Sequence, residues 1–370
     1  MSKILGIVNF AGNDINVTGL QDYRPTGAIS FLGRYRVIDF PISNFSNSDI
    51  EDIQVYVRRK PRSLAEHLGT GRHYNINSKI GRLYLLFAED AMGSLYSNDI
   101  SAYIDNMEVI EGSTSEYVVL APSYMVFKQN FETLVEQHIA SEADITLLYH
   151  PTDKAKERYL SCQILEMNKQ KGVTHITHNR GNAKSRQIFM DTYVMKRELF
   201  IKLVKDAHKT SAMYTLRDYL NQIMGDLDVR GLAHRGYFAS ITDFQSYYNA
   251  NMELADLKTA RTLFTEEWPI YTRTNDSAPT QYFEGADVKA SVISNGCLIE
   301  GKVENSVLGR GCVVKKGAVV KNSVVLPDVV IGEDVILEDV VVDKHVRITH
   351  VKEIKGTPEN PGYVKRFDRL

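Results

Sequence analysis

The sequence predicts an α/β domain followed by a left-handed parallel β-helix. Three features carry this. Short apolar runs alternate with helical patterns up to about residue 265, the stretch TRTNDSAPTQ (272–281) is polar and turn-rich, and beyond it valine and isoleucine recur every six residues. Strands alternating with helices argue for a largely parallel sheet covered on both faces. A six-residue period fits short strands that turn a corner in each hexapeptide, not an amphipathic helix. The reading is an α/β domain over 1–265, a linker over 266–284 and a β-helix over 285–370.

Within the first part, Ile4–Val8, Asp52–Val57, Tyr117–Ala121 and Asp144–Leu148 read as strands. The first runs into GIVNFAGNDINVTG (6–19), the kind of glycine-bearing loop at which α/β proteins hold a phosphate. This loop has one central glycine and no lysine or arginine. Asn130 reads as an N-cap, with Phe131, Leu134, Val135, His138 and Ile139 sharing one helical face. His138 there reads as a packing residue rather than a ligand. Glu198–His208 and Met252–Phe264 also read as helices.

In the second part, Val307, Val313, Val319, Val325, Ile331 and Leu337 form one series, and Val324, Val330, Ile336, Val342 and Ile348 a second. Gly301, Gly309, Gly311, Gly317 and Gly332 are expected at corners, where a positive φ is needed. Each coil buries its face only against the next. His345 and His350 read as surface histidines rather than as the base of an acyltransferase.

The chain has 370 residues and a net charge of -2, enough for two sizeable cores and no electrostatic case for nucleic acid or a membrane as partner. Cys162, Cys297 and Cys312 lie far apart without metal-ligand spacing, which suits a reducing cytoplasm. The apolar run of MSKILGIVNF is too short for a signal peptide, and nothing later is long enough to span a bilayer.

An α/β domain followed by a hexapeptide β-helix is the layout of sugar-nucleotide pyrophosphorylases. GRYRVIDFPISNFSNSDI (33–50) resembles the GKYRIIDFxLSNxxNSGI signature of glucose-1-phosphate adenylyltransferases, the ADP-glucose pyrophosphorylases. PRSLAEHLGTG (61–71), SEADITLLY (141–149), SYYNANMEL (246–254) and VISNGCLIEGKVENSVLGRGCVV (292–314) resemble later landmarks of that family. The resemblance implies a Rossmann-like, GT-A-like nucleotidyltransferase domain. It also implies a reaction in which glucose 1-phosphate attacks the α-phosphorus of ATP and pyrophosphate leaves. Such a site needs Mg²⁺ on carboxylates, basic side chains and a loop of backbone N–H groups.

Set against the family motifs, those groups are missing. The loop AGGxGxRL corresponds to NFAGNDINV, where only Gly12 survives and Ile15 or Asn16 stands near the arginine. RAKPAVPFGGKYR corresponds to RPTGAISFLGRYR (24–36), with Thr26 at a phosphate-directed lysine, and GTADA to NDISA (98–102). The aspartate of LSGDHIY corresponds to Ser123, and that of YWRDVGT to Ser240. A neutral hydroxyl is a poor Mg²⁺ ligand. EKP has no clear counterpart before Arg186, and Asp191 stands at a glycine of MASMGIYVF, where a carboxylate would repel a sugar phosphate.

Framing motifs persist while ligand-touching groups are gone. The resemblance is therefore closest to the GlgD-type non-catalytic subunit. It implies a regulatory chain without a cofactor of its own, assembled with a catalytic glucose-1-phosphate adenylyltransferase homologue that uses Mg²⁺ and ATP, in a heterotetramer of the cytoplasm. The alternative is an active adenylyltransferase with a rearranged metal site, for which Asp243 is the nearest carboxylate to Ser240 in sequence. A sugar-phosphate or nucleotide effector is expected near Arg34, Arg58, Arg59 and Arg62, because arginine suits phosphate and these residues cluster in sequence with Arg36 and Lys60.

Overall fold

The computed structural model describes residues 3–12, 14–77, 79, 81–87, 98–211 and 214–370; Asn13, in the first loop, lies outside them. A nine-stranded sheet forms the first domain: β1 (Ile4–Asn9), β2 (Asp52–Val57), β3 (Arg82–Phe87), β4 (Tyr117–Pro122), β5 (Ile145–Thr152), β6 (Gln163–Met167), β7 (Val173–His178), β8 (Arg186–Lys196) and β9 (Val229–Ala233). The order is β7-β6-β8-β4-β1-β2-β3, with β5 paired to β8 and β9. Strand β1 lies between parallel neighbours β2 and β4, and its Leu5, Ile7 and Val8 are fully buried.

Only part of the sheet is parallel. Strand β8 is antiparallel to β4, β5 and β6. The short link between β6 and β7 accounts for their own antiparallel pairing, since a few residues can join only antiparallel strands. The long β8, Arg186–Lys196, spans three neighbours.

The Phe131–Ser141 helix is capped by the Asn130 side chain, which accepts from the Thr133 N–H. Phe131, Leu134, Val135 and His138 are buried, but Ile139 is 42% exposed and lies off the predicted face. His138 is a core residue whose Nδ1 lies 2.8 Å from Thr146 Oγ1. The predicted Met252–Phe264 helix is two helices, Phe244–Ala255 and Leu257–Leu263. The break is at Asp256, whose carboxylate accepts from the Thr259 N–H at 2.9 Å, so a side chain able to cap restarts the helix.

The second domain is a left-handed β-helix of three parallel five-stranded sheets, with its first stacked strand at Gln281–Tyr282. Its interior ladder is Leu308, Val314, Val320, Val325, Ile331, Leu337, Val342 and Ile348, all essentially inaccessible. The six-residue period therefore slips by one at one corner of each coil. Val313, Val319, Val330 and Ile336, members of the predicted series, point away from that core. Successive coils pair Val307 with Val324 and Val324 with Val341, so these coils hold 17 residues.

Of the predicted corner glycines, Gly311 and Gly317 have φ of 68° and 75°. Gly301, Gly309 and Gly332 do not take positive φ; a Cβ on any of them would strike the backbone of the next coil. Much of the left-handed corner work falls to Asn305, Asn322, Asp328, Asp334, Asp339 and His345, mostly short polar residues that tolerate that region.

One β-helix face packs on the first domain. Val307, Val324 and Val341 join Ile29, Phe31, Phe40, Tyr247 and Leu254 in one apolar cluster. Arg24 spans the junction to Asp343 at 2.7 and 2.8 Å, with side-chain exposures of 4% and 0%. The Tyr248 hydroxyl donates to Asn322 O and Asp339 Oδ1.

Candidate functional site

A cleft of about 350 Å³ opens at the carboxyl ends of β1, β2 and β4. Open α/β sheets bind ligands there, where strand order diverges. The loop after β1 lines it with Phe10, Gly12, Ile15 and Asn16, and the loop after β2 with Arg58, Arg59 and Lys60. Ile15 is buried in the apolar core, so no cation stands at that part of the loop. Thr26 is buried and accepts from Gln21 Nε2.

Ser123 lines the same cleft, held by its N–H donating to Asn9 O at 2.9 Å. Ser240 ends the strand Phe238–Ser240, which pairs with Met125–Phe127, and the Ile241 N–H donates to Tyr124 O at 2.8 Å. The two serines thus sit on adjacent segments, although Ser240 lines a second cavity, of about 230 Å³, with Tyr159 and Asp243. Beside Ser240, burial pushes the Cys162 thiol up to about 12.

Ser123 and Ser240 offer only neutral hydroxyls, a donor set that does not fit Mg²⁺. Asp243 is committed elsewhere: it caps the Phe244–Ala255 helix, accepting from the Ser246 N–H at 2.7 Å. Among the described residues, no group of three or more His, Cys, Asp and Glu is placed to hold a metal ion.

A smaller cavity, about 70 Å³, adjoins the loop after β1 and is lined by Asp14, Arg58, Asp99, Tyr124, Asp191, Tyr193, Thr215 and Arg217. Asp191 lies where β8 bulges against β5 and has φ 46°. Burial raises its carboxyl, opposed chiefly by the Arg217 guanidinium and by hydrogen bonds from Tyr124 and Tyr193. Burial and then the nearby Asp191 push Asp99 up to about 6.

The third feature lies between the domains. A cleft of about 470 Å³ collects Arg34, Arg36, Arg273, Arg310 and Lys344, with Asp276 and Asp328 also on its wall. Burial, then Arg36 and Arg24, pushes Lys344 down to about 7. Burial and then Arg34 lower Arg310. Two nearby carboxylates are already engaged: Asp39 accepts from Tyr74 at 2.6 Å and meets His67 at 2.6 Å, and Asp343 holds Arg24.

The predicted phosphate-binding arginines do not come together. Arg34 lies in the interdomain cleft, and Arg58 and Arg59 line the cleft after β1 and β2. Arg62 points to solvent, 91% exposed, and pairs with Glu66 at 2.8 Å. The run is split because Pro61 starts the Arg62–Leu68 helix and turns the chain away. Sequence reasoning missed Arg24, Arg217, Arg273, Arg310 and Lys344. The one local signal was Asp343-Lys344, a charged pair amid apolar hexapeptides. His345, stacked on Phe367 at 5.4 Å between centroids, and His350 are exposed, as read.

Residues 17–257 match the nucleotidyl transferase family and residues 279–367 the GlmU-like C-terminal hexapeptide family. The first match begins past the altered loop. The chain is 31% identical to "Glycogen biosynthesis protein GlgD" of Bacillus subtilis (strain 168), over 97% of this chain and 95% of that one. It is 29% identical to a protein of the same name from Geobacillus stearothermophilus, over 86% and 83%. It is 30% identical to "Glucose-1-phosphate adenylyltransferase" of Clostridium perfringens (strain 13 / Type A), over 80% and 76%.

Proposed function

Because this chain belongs to the nucleotidyl transferase family, in the branch that holds glucose-1-phosphate adenylyltransferases and GlgD, we propose that it is a non-catalytic, regulatory subunit. It serves glycogen biosynthesis in the cytoplasm by modulating a catalytic homologue that makes ADP-glucose, in a hetero-oligomer. The observation that carries the reading is the pair Ser123 and Ser240. They leave both family metal positions without a carboxylate, and the nearest replacement, Asp243, is spent on a helix cap. Mg²⁺ and ATP chemistry then belongs to the partner chain.

The role left to this subunit is recognition. The interdomain cleft, with Arg34, Arg36, Arg273, Arg310 and Lys344 converging, suits an anionic sugar-phosphate or nucleotide effector. An effector there would bear on both domains at once. Arg58 and Arg59, in the other cleft, would instead contact a nucleotide that binds without turnover.

The deciding experiment supplies the purified chain with ATP, glucose 1-phosphate and Mg²⁺ and follows pyrophosphate. No release is expected; robust turnover overturns the non-catalytic reading. Addition of a catalytic homologue from the same cell should shift that enzyme's rate, substrate affinity or effector response. An unchanged enzyme overturns the regulatory reading. Arg34→Ala should weaken the effector response of the mixed complex, and Arg58→Ala with Arg59→Ala should leave it.

A further inference from the structure

We propose that Asp191 and Asp99 are internal occupants of a phosphate pocket, standing where an oxyanion would be held by Arg217 and the start of the Leu216–Ile223 helix. The pocket is a convergence of donors. Tyr124 and Tyr193 donate their hydroxyls to Asp191 Oδ2 and Oδ1 at 3.0 and 3.2 Å. The Leu216 N–H donates to both Asp99 oxygens, at 3.2 and 3.4 Å. Arg217, at the next position, faces the same small cavity, and Asp191 is its strongest attracting neighbour.

An ionised carboxylate and a phosphate are both acceptor-only groups that seek such a donor set. Here the two tyrosine hydroxyls and the Leu216 N–H already meet carboxylates of the chain, and Asp191 attracts Arg217 across the cavity. Asp191 also holds a left-handed φ of 46°, a conformation expensive for any residue but glycine, asparagine and aspartate. Its side chain reaches the donors from a bulge where the strand ladder slips. The remaining space, about 70 Å³, is the smallest of the cavities described. This end of the cleft is shut by substitution of one anion for another, not by loss of the cationic partner.

This deepens the non-catalytic reading, yet its test is ligand binding by the isolated chain and involves no turnover. Thermal unfolding of Asp191→Gly and of the parent is followed over a range of inorganic phosphate. Glycine keeps the left-handed φ and removes both the charge and the side chain that fills the pocket. Its midpoint should rise with phosphate more than the parent's, and Asp191→Gly with Arg217→Met should lose that increment. Phosphate held in the interdomain cleft raises all three alike and is subtracted. An increment of zero, or one that survives loss of Arg217, overturns the proposal.

Arg217→Met in the parent gives a second reading should the glycine variant fail to fold. It leaves Asp191 buried among Asp14, Asp99, Tyr124 and Tyr193, with Arg58 as the nearby cation. A carboxyl whose folded pKa is raised loses stability as pH rises through its ordinary range. The melting deficit of Arg217→Met should therefore be larger near about pH 8 than near about pH 5. A deficit independent of pH overturns the pairing.

Discussion

At the carboxyl ends of β1 and β4 the chain offers Ile15, Thr26 and Ser123, three neutral side chains, to a cleft large enough for a small ligand. Between the domains it offers Arg34, Arg36, Arg273, Arg310 and Lys344, whose mutual repulsion and burial lower Lys344, Arg36 and Arg310. The charged lining of the first cleft is Asp22, Arg24, Arg58, Arg59 and Lys60, of which Arg24 is held by Asp343. The second crowds cations from both domains, some of them donating to backbone carbonyls, beside Asp276 and Asp328. Cations crowded into a cleft are a better pointer to an anionic ligand than the position of the cleft in the fold.

The comparison breaks most severely at the Arg24–Asp343 pair, which closes the domain junction beside the cationic cleft. Asp343→Ala leaves a buried guanidinium without its carboxylate and should cost about 3–5 kcal/mol in denaturant unfolding. A loss under about 1 kcal/mol would mean that water reaches Arg24 and the junction is looser than it looks.

Carboxylates at Ser123, in the first cleft, and at Ser240, in the neighbouring cavity, should have the next largest effect. Ser123→Asp with Ser240→Asp buries two carboxylates and should cost about 1–3 kcal/mol near neutral pH. Buried carboxyls bind protons more tightly in the folded state, so this loss shrinks as pH falls through the carboxylate range. Mg²⁺ should recover part of it. Equal recovery in the parent would show that the serines already tolerate the ion.

Lys344→Met sharpens the second half of the comparison. With the folded-state lysine near 7 and the unfolded one near its usual value, the unfolded chain binds more protons between them. The lysine's penalty is full below about pH 7, fades as pH rises and is gone above about pH 10. The variant should gain about 1–2 kcal/mol at neutral pH, a figure reduced for the solvent that reaches the cleft, and nothing in strong alkali. It should also lose anion-induced stabilisation, which a purely structural lysine would not affect.

Arg62→Ala marks the small end. Its ion pair with Glu66 is exposed, so the change should leave stability and anion binding essentially intact, read by titration of phosphate against melting temperature. A clear loss of anion binding would return Arg62 to the site.

Much of the architecture was legible because it follows from local periodicity. Leu5, Ile7 and Val8 make a strand buried on both faces, and the valines after 300 make a stacked coil. The register of that coil was legible only approximately: Val313 and Val319 obey the six-residue rule yet point outward, because one corner is a residue shorter. The antiparallel half of the sheet escaped the reading because pairing direction depends on which strands are joined by short links. That Ser123 and Ser240 carry hydroxyls was legible as residue type, since a serine cannot become a carboxylate in any fold.

By itself the sequence determined the two architectures, their order along the chain, and the neutral hydroxyls at Ser123 and Ser240. These depend on spacing and on side-chain chemistry, which no folding alters. Tertiary structure alone decided which charges meet. Arg58 and Arg62, four residues apart, end on different surfaces, while Arg34 and Lys344, from opposite ends of the chain, share one cleft. It also decided that Asp191 faces Arg217. Electrostatic energy depends on distance in space and on burial, and neither is written in the order of residues.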